Sequence, residues 1–163
     1  MKLNRSALTP KINQILVMVF LFVLMDSVVS APYIPPIDQN AVYPVVNADT
    51  KQQSVSKNGL SAIFKMRLRT WSDGSGITVF VLHDDNPLHK QFCKQILNVF
   101  PHQMRRYWNK LVFSGTGQAP IELENKDEMI NKLITTPGAI GYLNGKDLNH
   151  KNIRILNVSR DER

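Results

Sequence analysis

Thr135-Thr136-Pro137-Gly138-Ala139-Ile140-Gly141-Tyr142-Leu143 is the stretch whose reading decides the fold. Pro137 fixes φ, and Gly138 accepts the positive φ that a type II turn demands at its next position. The apolar run Ala139–Leu143 follows at once. It carries no charge, is too short for a helix and is bounded by Gly138 and Gly145, so it reads as a buried strand. Gly141 inside it marks a place where another backbone or a ligand comes close. A helical pattern precedes the turn. Helix, tight turn and buried strand in succession indicate an α/β layer.

Working outward, the chain has 163 residues, the length of one domain, and 43% hydrophobic content, enough for a core without metal or disulfide support. Cys93 is the single cysteine, so no internal disulfide forms, and nothing in the Cys and His spacing frames a metal site. The first residues read as a targeting segment. Lys2, Arg5 and Lys11 form a positive region, Ile15–Met25 is an unbroken apolar run, and the small residues Ser27, Ser30 and Ala31 follow. Residues 1–30 are therefore expected to be a signal peptide cleaved near residue 30 or 31, placing the protein in the periplasm or outside the cell. The alternative is an uncleaved anchor, since Ile12–Ala31 reaches across a bilayer in length. The formal charge of +7 and pI of 9.7 would ordinarily raise a nucleic-acid role. An exported protein meets little nucleic acid, so a small anion or an anionic surface is the better partner class.

Beyond the signal, residues 31–41 read as an extended Pro-rich leader, 42–157 as the folded domain and 158–163 as a loose tail. Pro44 within Val42–Asn47 predicts an edge or crossing strand. Ser56 caps a helix running to about Lys65, with Leu60, Ile63 and Phe64 as its apolar stripe. Trp71 is expected to pack over the helix end. Ile77–Leu82 is a strand, and His83–Asn86 is the loop after it. Asn86 and Pro87 are the cap and first residue of a helix with Leu88, Phe92, Ile96 and Val99 inward and Lys90 and Lys94 outward. Pro101 starts a further helix, with Met104, Tyr107, Trp108, Leu111 and Val112 on one face. Asn125 and Glu128 approach a capping box for the last helix, whose stripe is Met129, Ile130, Leu133 and Ile134. Ile153–Leu156 is a short final strand.

Two places offer binding chemistry. The strand–loop–helix unit at residues 77–92 puts Asn86, His89 and Lys90 at a helix start beside the C-terminal edge of a sheet, where free N–H groups attract anions. Asp84 and Asp85 work against an anion there. Ser114-Gly115-Thr116-Gly117 is the second place: glycines let successive N–H groups converge on an anion, and the Ser114 and Thr116 hydroxyls add donors. The stretch lacks the Lys-Ser/Thr end of a P-loop. No serine sits in a G-x-S-x-G elbow and no nucleophile–base pair is framed, so an enzyme is not expected. Nor is any cofactor or metal.

Leu60-Ser61-Ala62-Ile63-Phe64, Thr70-Trp71-Ser72-Asp73-Gly74, Tyr107-Trp108 with the stretch on to Pro120, and Thr136–Tyr142 occur in this order with gaps that resemble the phosphate-binding proteins of ABC transporters. The likeness is greatest to their short exported relatives, and it covers residues 42–145. The resemblance implies a single lobe of the periplasmic-binding-protein type II fold, α/β with a mixed sheet flanked by helices. It also implies a solute-binding protein for phosphate or another small anion, bound weakly, with a membrane transporter or sensor protein as partner. The alternative is a periplasmic protein-interaction module that no longer binds ligand. The chain departs from the family at the site. Where those proteins use an Arg and a Ser-Gly-Thr step, or Ser-Pro-Leu-Arg in short relatives, this chain has Asn86-Pro87-Leu88-His89, which loses bidentate anion recognition. Met66 stands where the family often has Gly after the helix. A positive φ there would be strained.

Overall fold

The computed structural model describes residues 36–159. The expected signal peptide and residues 31–35 of the 31–41 leader lie outside them. From Ile37 onward the chain forms one compact unit.

The turn behaves as its residues dictate. The Ala139 N–H donates to the Thr136 carbonyl at 3.2 Å, and Gly138 has φ +71°. A Cβ on Gly138 would sit 2.2 Å from the Gly76 carbonyl oxygen, so glycine is required twice over, by φ and by space. Trp71 is buried and donates its indole N–H to the Gly138 carbonyl at 3.2 Å, fixing the turn from the side.

The strand after it, β5 (Ala139–Asn144), is the middle of a five-stranded mixed sheet. On one side it runs parallel to β3 (Thr78–Leu82), with Thr78 opposite Ala139. On the other it runs antiparallel to β1 (Val42–Asn47), with Pro44 opposite Tyr142. The short strand β4 (Ile121–Leu123) extends the sheet parallel to β3, and β6 (Ile153–Ile155) closes the far side against β1. β2 (Ser54–Ser56) and β7 (Asn157–Ser159) make a separate parallel pair.

Two expectations fail here for the same kind of reason. β1 is not an edge strand, because β6 covers its outer side from Val45 to Asn47. Pro44 is tolerated because it faces the point where β6 ends: Leu156 donates to the Pro44 carbonyl at 2.9 Å, and only the return donor is missing. Val158 and Ser159 are not loose tail but part of β7, which pairs with residues 54–56. Of the leader, Asp38–Ala41 is a turn rather than an extended run. Asp38 accepts from Asn40, and Gly145 and Lys146 donate to the carbonyls of Ala41 and Gln39.

Alternation along β5 sends neighbouring residues to opposite faces. Gly141 faces α4 (Lys126–Thr135): a Cβ there would lie 2.6 Å from the Met129 sulfur, so the close approach read from the sequence is made by a packed helix. Asn47, buried on β1, donates to the carbonyls of Leu133 and Ile134 and pins the end of α4 to the sheet. Tyr142 faces the other layer. That layer holds α1 (Lys57–Phe64), α2 (Pro87–Phe92, continuing as a π-turn over Cys93–Leu97) and α3 (Pro101–Phe113). Phe64 lies 4.7 Å from Phe92, Phe92 stacks on Tyr142 at 4.1 Å, and the Trp108 indole donates to the Phe64 carbonyl at 2.8 Å.

Ser56 and Asn125 cap α1 and α4 as expected, accepting from the N–H groups of Gly59 and Glu128. Along α3, Met104 and Trp108 are buried, but Val112 is half exposed, outside the apolar face it was expected to share. The segment after α2 is not a continuous α-helix. The widened turn passes the chain to Asn98 at φ +54°, a conformation that Asn tolerates, and the Val99 N–H returns to the Cys93 carbonyl.

Candidate functional site

β3 and β4 are parallel, so their C-terminal ends meet on one edge of the sheet, where open α/β sheets take ligands. His83, Asp84 and Asp85 follow β3; Glu122 lies in β4 and Glu124 just beyond it. Four carboxylates thus gather at this edge, and Arg105 from α3 answers them. Its guanidinium makes a two-pronged contact with Asp84, Nε to Oδ2 at 3.1 Å and Nη2 to Oδ1 at 3.0 Å, and Nη2 also reaches Glu122. It lies 5.3 Å from the Trp108 ring centroid. The hydrogen bond to Asp84, and then that to Glu122, raises the Arg105 pKa further. His83 contacts Glu122 through Nδ1 and Glu124 through Nε2. Desolvation opposes its protonation, but these carboxylates prevail and raise its pKa.

His89 does not stand at this mouth. It is 1% exposed and belongs to the core. The Tyr142 hydroxyl accepts from the Leu82 N–H at 2.8 Å and is hydrogen-bonded to His89 Nδ1 at 2.5 Å. Nε2 lies 3.4 Å from the Cys93 sulfur and 3.8 Å from Asp84 Oδ1. Burial lowers the His89 pKa to about 4, outweighing the pull of Asp84. His89 is a neutral core histidine, and the expectation that it stands at the helix start as an anion-binding residue gives way to its burial. Cys93 is likewise buried, and desolvation pushes its thiol up to about 12. Asn86 is engaged as a cap, its Oδ1 accepting from the Leu88 N–H at 2.9 Å.

The stretch Ser114–Gly117 also differs from its expected role. It lies at the end of α3, whose carbonyls it caps. Thr116 and Gly117 donate to the Leu111 carbonyl, and Gly115, at φ +68°, donates to that of Val112. Its N–H groups are therefore consumed, and the helix dipole places partial negative charge there, which repels anions. The Ser114 hydroxyl contacts the Lys110 carbonyl at 2.7 Å and the Thr116 hydroxyl at 2.8 Å. α3 has 13 residues, which sets Ser114 roughly 20 Å along its axis from Pro101. The five residues singled out from the sequence do not converge.

One of them, Lys90, does line a cavity. Together with Asp84, Asp85, Lys94, Phe100, Pro101 and His102 it lines an open cleft of about 520 Å³ at the mouth beyond β3. Lys90 and Lys94 are one helical turn apart and exposed. Phe100 is 57% exposed and stacks on His102 with centroids 5.7 Å apart and planes 13° from parallel. Neither His102 nor Phe100 belongs to a motif or a periodic stripe in the sequence that would mark it as part of a site.

No protein-family model matches the sequence, and no curated protein matches it. Solved structures do share the fold. An ABC-type phosphate transport receptor from Vibrio cholerae superposes with a TM-score of 0.56 at 11% identity, covering 73% of this chain and 46% of the receptor. PstS from Borrelia burgdorferi gives 0.56 at 18% identity, covering 73% and 47%. A putative phosphate ABC transporter substrate-binding protein from Clostridium perfringens, solved with bound phosphate, gives 0.53 at 9% identity, covering 73% and 45%. The chain has the α/β fold of these transport proteins, and it spans a little under half of their length.

Proposed function

We propose that the chain is an exported, non-enzymatic, solute-binding-like protein related to phosphate ABC transporter receptors, and that it takes phosphate or a similar small anion weakly at the mouth formed by Lys90, Lys94 and His102. A membrane transporter or sensor would be its protein partner. The observation that carries this reading is the charge balance of the mouth. Arg105 draws the Asp84 carboxylate into an ion pair that it shares with Glu122, so of the acids lining the cavity Asp85 is the one outside that pairing, beside Lys90 and Lys94. Point-charge ammonium groups without a guanidinium fork imply loose rather than tight anion recognition. Isothermal titration of the secreted protein with phosphate at low salt tests it. Heat at millimolar ligand is expected, screened by added salt and lost in the double variant Lys90→Ala, Lys94→Ala. Absence of heat at millimolar phosphate refutes phosphate binding.

A protein-interaction role is the second reading. It is supported by apolar side chains left open near the far end of α3, where Phe113 is 87% exposed and Val112 about half, and by Ile121, half exposed on the outermost strand β4. A dimer in solution scattering, or a specific partner captured from envelope extract, would favour it over anion binding.

A further inference from the structure

The cavity is larger than inorganic phosphate requires. At about 30 Å³ per water, a five-atom oxyanion needs on the order of 100 Å³, against the roughly 520 Å³ of the open cleft here. That volume falls within the range of sites for small organic molecules, roughly 300–1,000 Å³. Its wall is also wrong for a bare, strongly hydrated ion. Phe100, Pro101 and His102 are three consecutive rings, and an exposed phenyl ring is a poor neighbour for an ion that gains nothing by losing water there. The His102 ring supports the Phe100 ring in a near-parallel stack and holds it against the cavity. Lys90 and Lys94 stand on the other wall, their side chains issuing from successive turns of one segment.

We propose that this mouth selects an organic anion with a planar aromatic body, such as an aryl phosphate or aryl carboxylate, over inorganic phosphate. The proposal rests on the reading of the mouth as an anion site and names the ligand class for it. The anionic group pairs with Lys90 and Lys94, and the aromatic body lies on the Phe100 ring. Asp85, at the rim, disfavours a second anionic group and so favours a ligand charged at one end. Ring stacking of this kind is worth enough to raise affinity at least fivefold.

Titration of the secreted protein with phenyl phosphate, benzoate, inorganic phosphate and phenol separates the possibilities. Phenyl phosphate is expected to bind at least fivefold more tightly than inorganic phosphate, with benzoate sharing the gain if the carboxylate serves equally. Phe100→Ala should bring phenyl phosphate down to the affinity of inorganic phosphate. Phe100 is more than half exposed, so the variant retains the fold, which an unchanged melting temperature checks. Inorganic phosphate binding as tightly as phenyl phosphate overturns the aromatic selection but leaves the anion site standing. Phenol binding as tightly as phenyl phosphate overturns the pairing with the lysines. Failure of every anion to bind overturns both readings.

Discussion

Lowering the pH should destabilise this protein through one buried side chain, and the size of the effect follows from its surroundings. His89 is enclosed by Tyr142, Cys93, Trp108 and Asp84, and burial holds its folded-state pKa at about 4, against 6.5 when exposed. Between those values the unfolded chain binds a proton that the folded chain refuses. Stability present above pH 6.5 is therefore lost as the pH falls toward 4. One pKa unit is about 1.4 kcal/mol, so the loss is roughly 2 kcal/mol at pH 5 and roughly 3 kcal/mol near pH 4. That is a large part of the stability of a domain this size. The assay is urea unfolding at about pH 7.5 and about pH 5, with wild type compared with His89→Gln, which keeps an acceptor for the Tyr142 hydroxyl but cannot titrate. The variant starts less stable, because its fit in the core is poorer, but it should lose about 2 kcal/mol less over the same interval. His83, whose raised pKa gives a contribution of opposite sign, is present in both proteins and cancels in the difference. Equal losses in the two proteins would show that His89 is not held neutral by burial, and the argument would fail.

Two further outcomes follow from backbone geometry. Met66 has φ +57° in the turn that caps α1, where Arg67 and Met66 donate to the carbonyls of Ala62 and Ile63. Met66→Gly should stabilise by roughly 0.5–1 kcal/mol in chemical denaturation, the relieved strain exceeding the added freedom of the unfolded chain; a loss of stability would mean that the Met66 side chain matters more than its backbone. Gly138→Ala should destabilise by about 3 kcal/mol, combining positive-φ strain with a clash against Gly76; a melting temperature within a degree of wild type would contradict the turn geometry.

What could be read in advance was local. Pro137 and Gly138 specify their turn by their own sterics, and Ala139–Leu143 declares burial by containing nothing polar. Ser56, Asn86 and Asn125 announce helix starts because the groups they satisfy lie two or three residues away. The family resemblance also located Met66 as a position of strain, and its φ agrees. What depended on distant residues was not legible. The place of β1 inside the sheet rests on where β6 stops, more than a hundred residues later. Arg105 looked like one cation on a solvated face, since nothing in the sequence couples it to Asp84 or Glu122. His89 could have been found: Phe92 and Cys93 follow it by three and four residues, on the same helical face as the core. The cavity wall escaped because the widened turn at Cys93–Leu97 and the reversal at Asn98 bring Lys94 and Phe100 around one space, and neither leaves a periodic mark in the sequence.

These misplacements share a physical origin that bears on what the mouth can recognise. A histidine at the start of α2 reads as the natural anion partner, but its ring is buried against Tyr142, Cys93 and Trp108. Once His89 is spent on the core, the charge facing solvent passes to Lys90, the next residue, and to Lys94 one turn on. Lysine ammonium groups attract by charge with little directional demand. Shape must then come from elsewhere in the cavity, and Phe100 and His102 are the groups positioned to supply it. The core network and the character of the mouth are thus two consequences of the burial of His89.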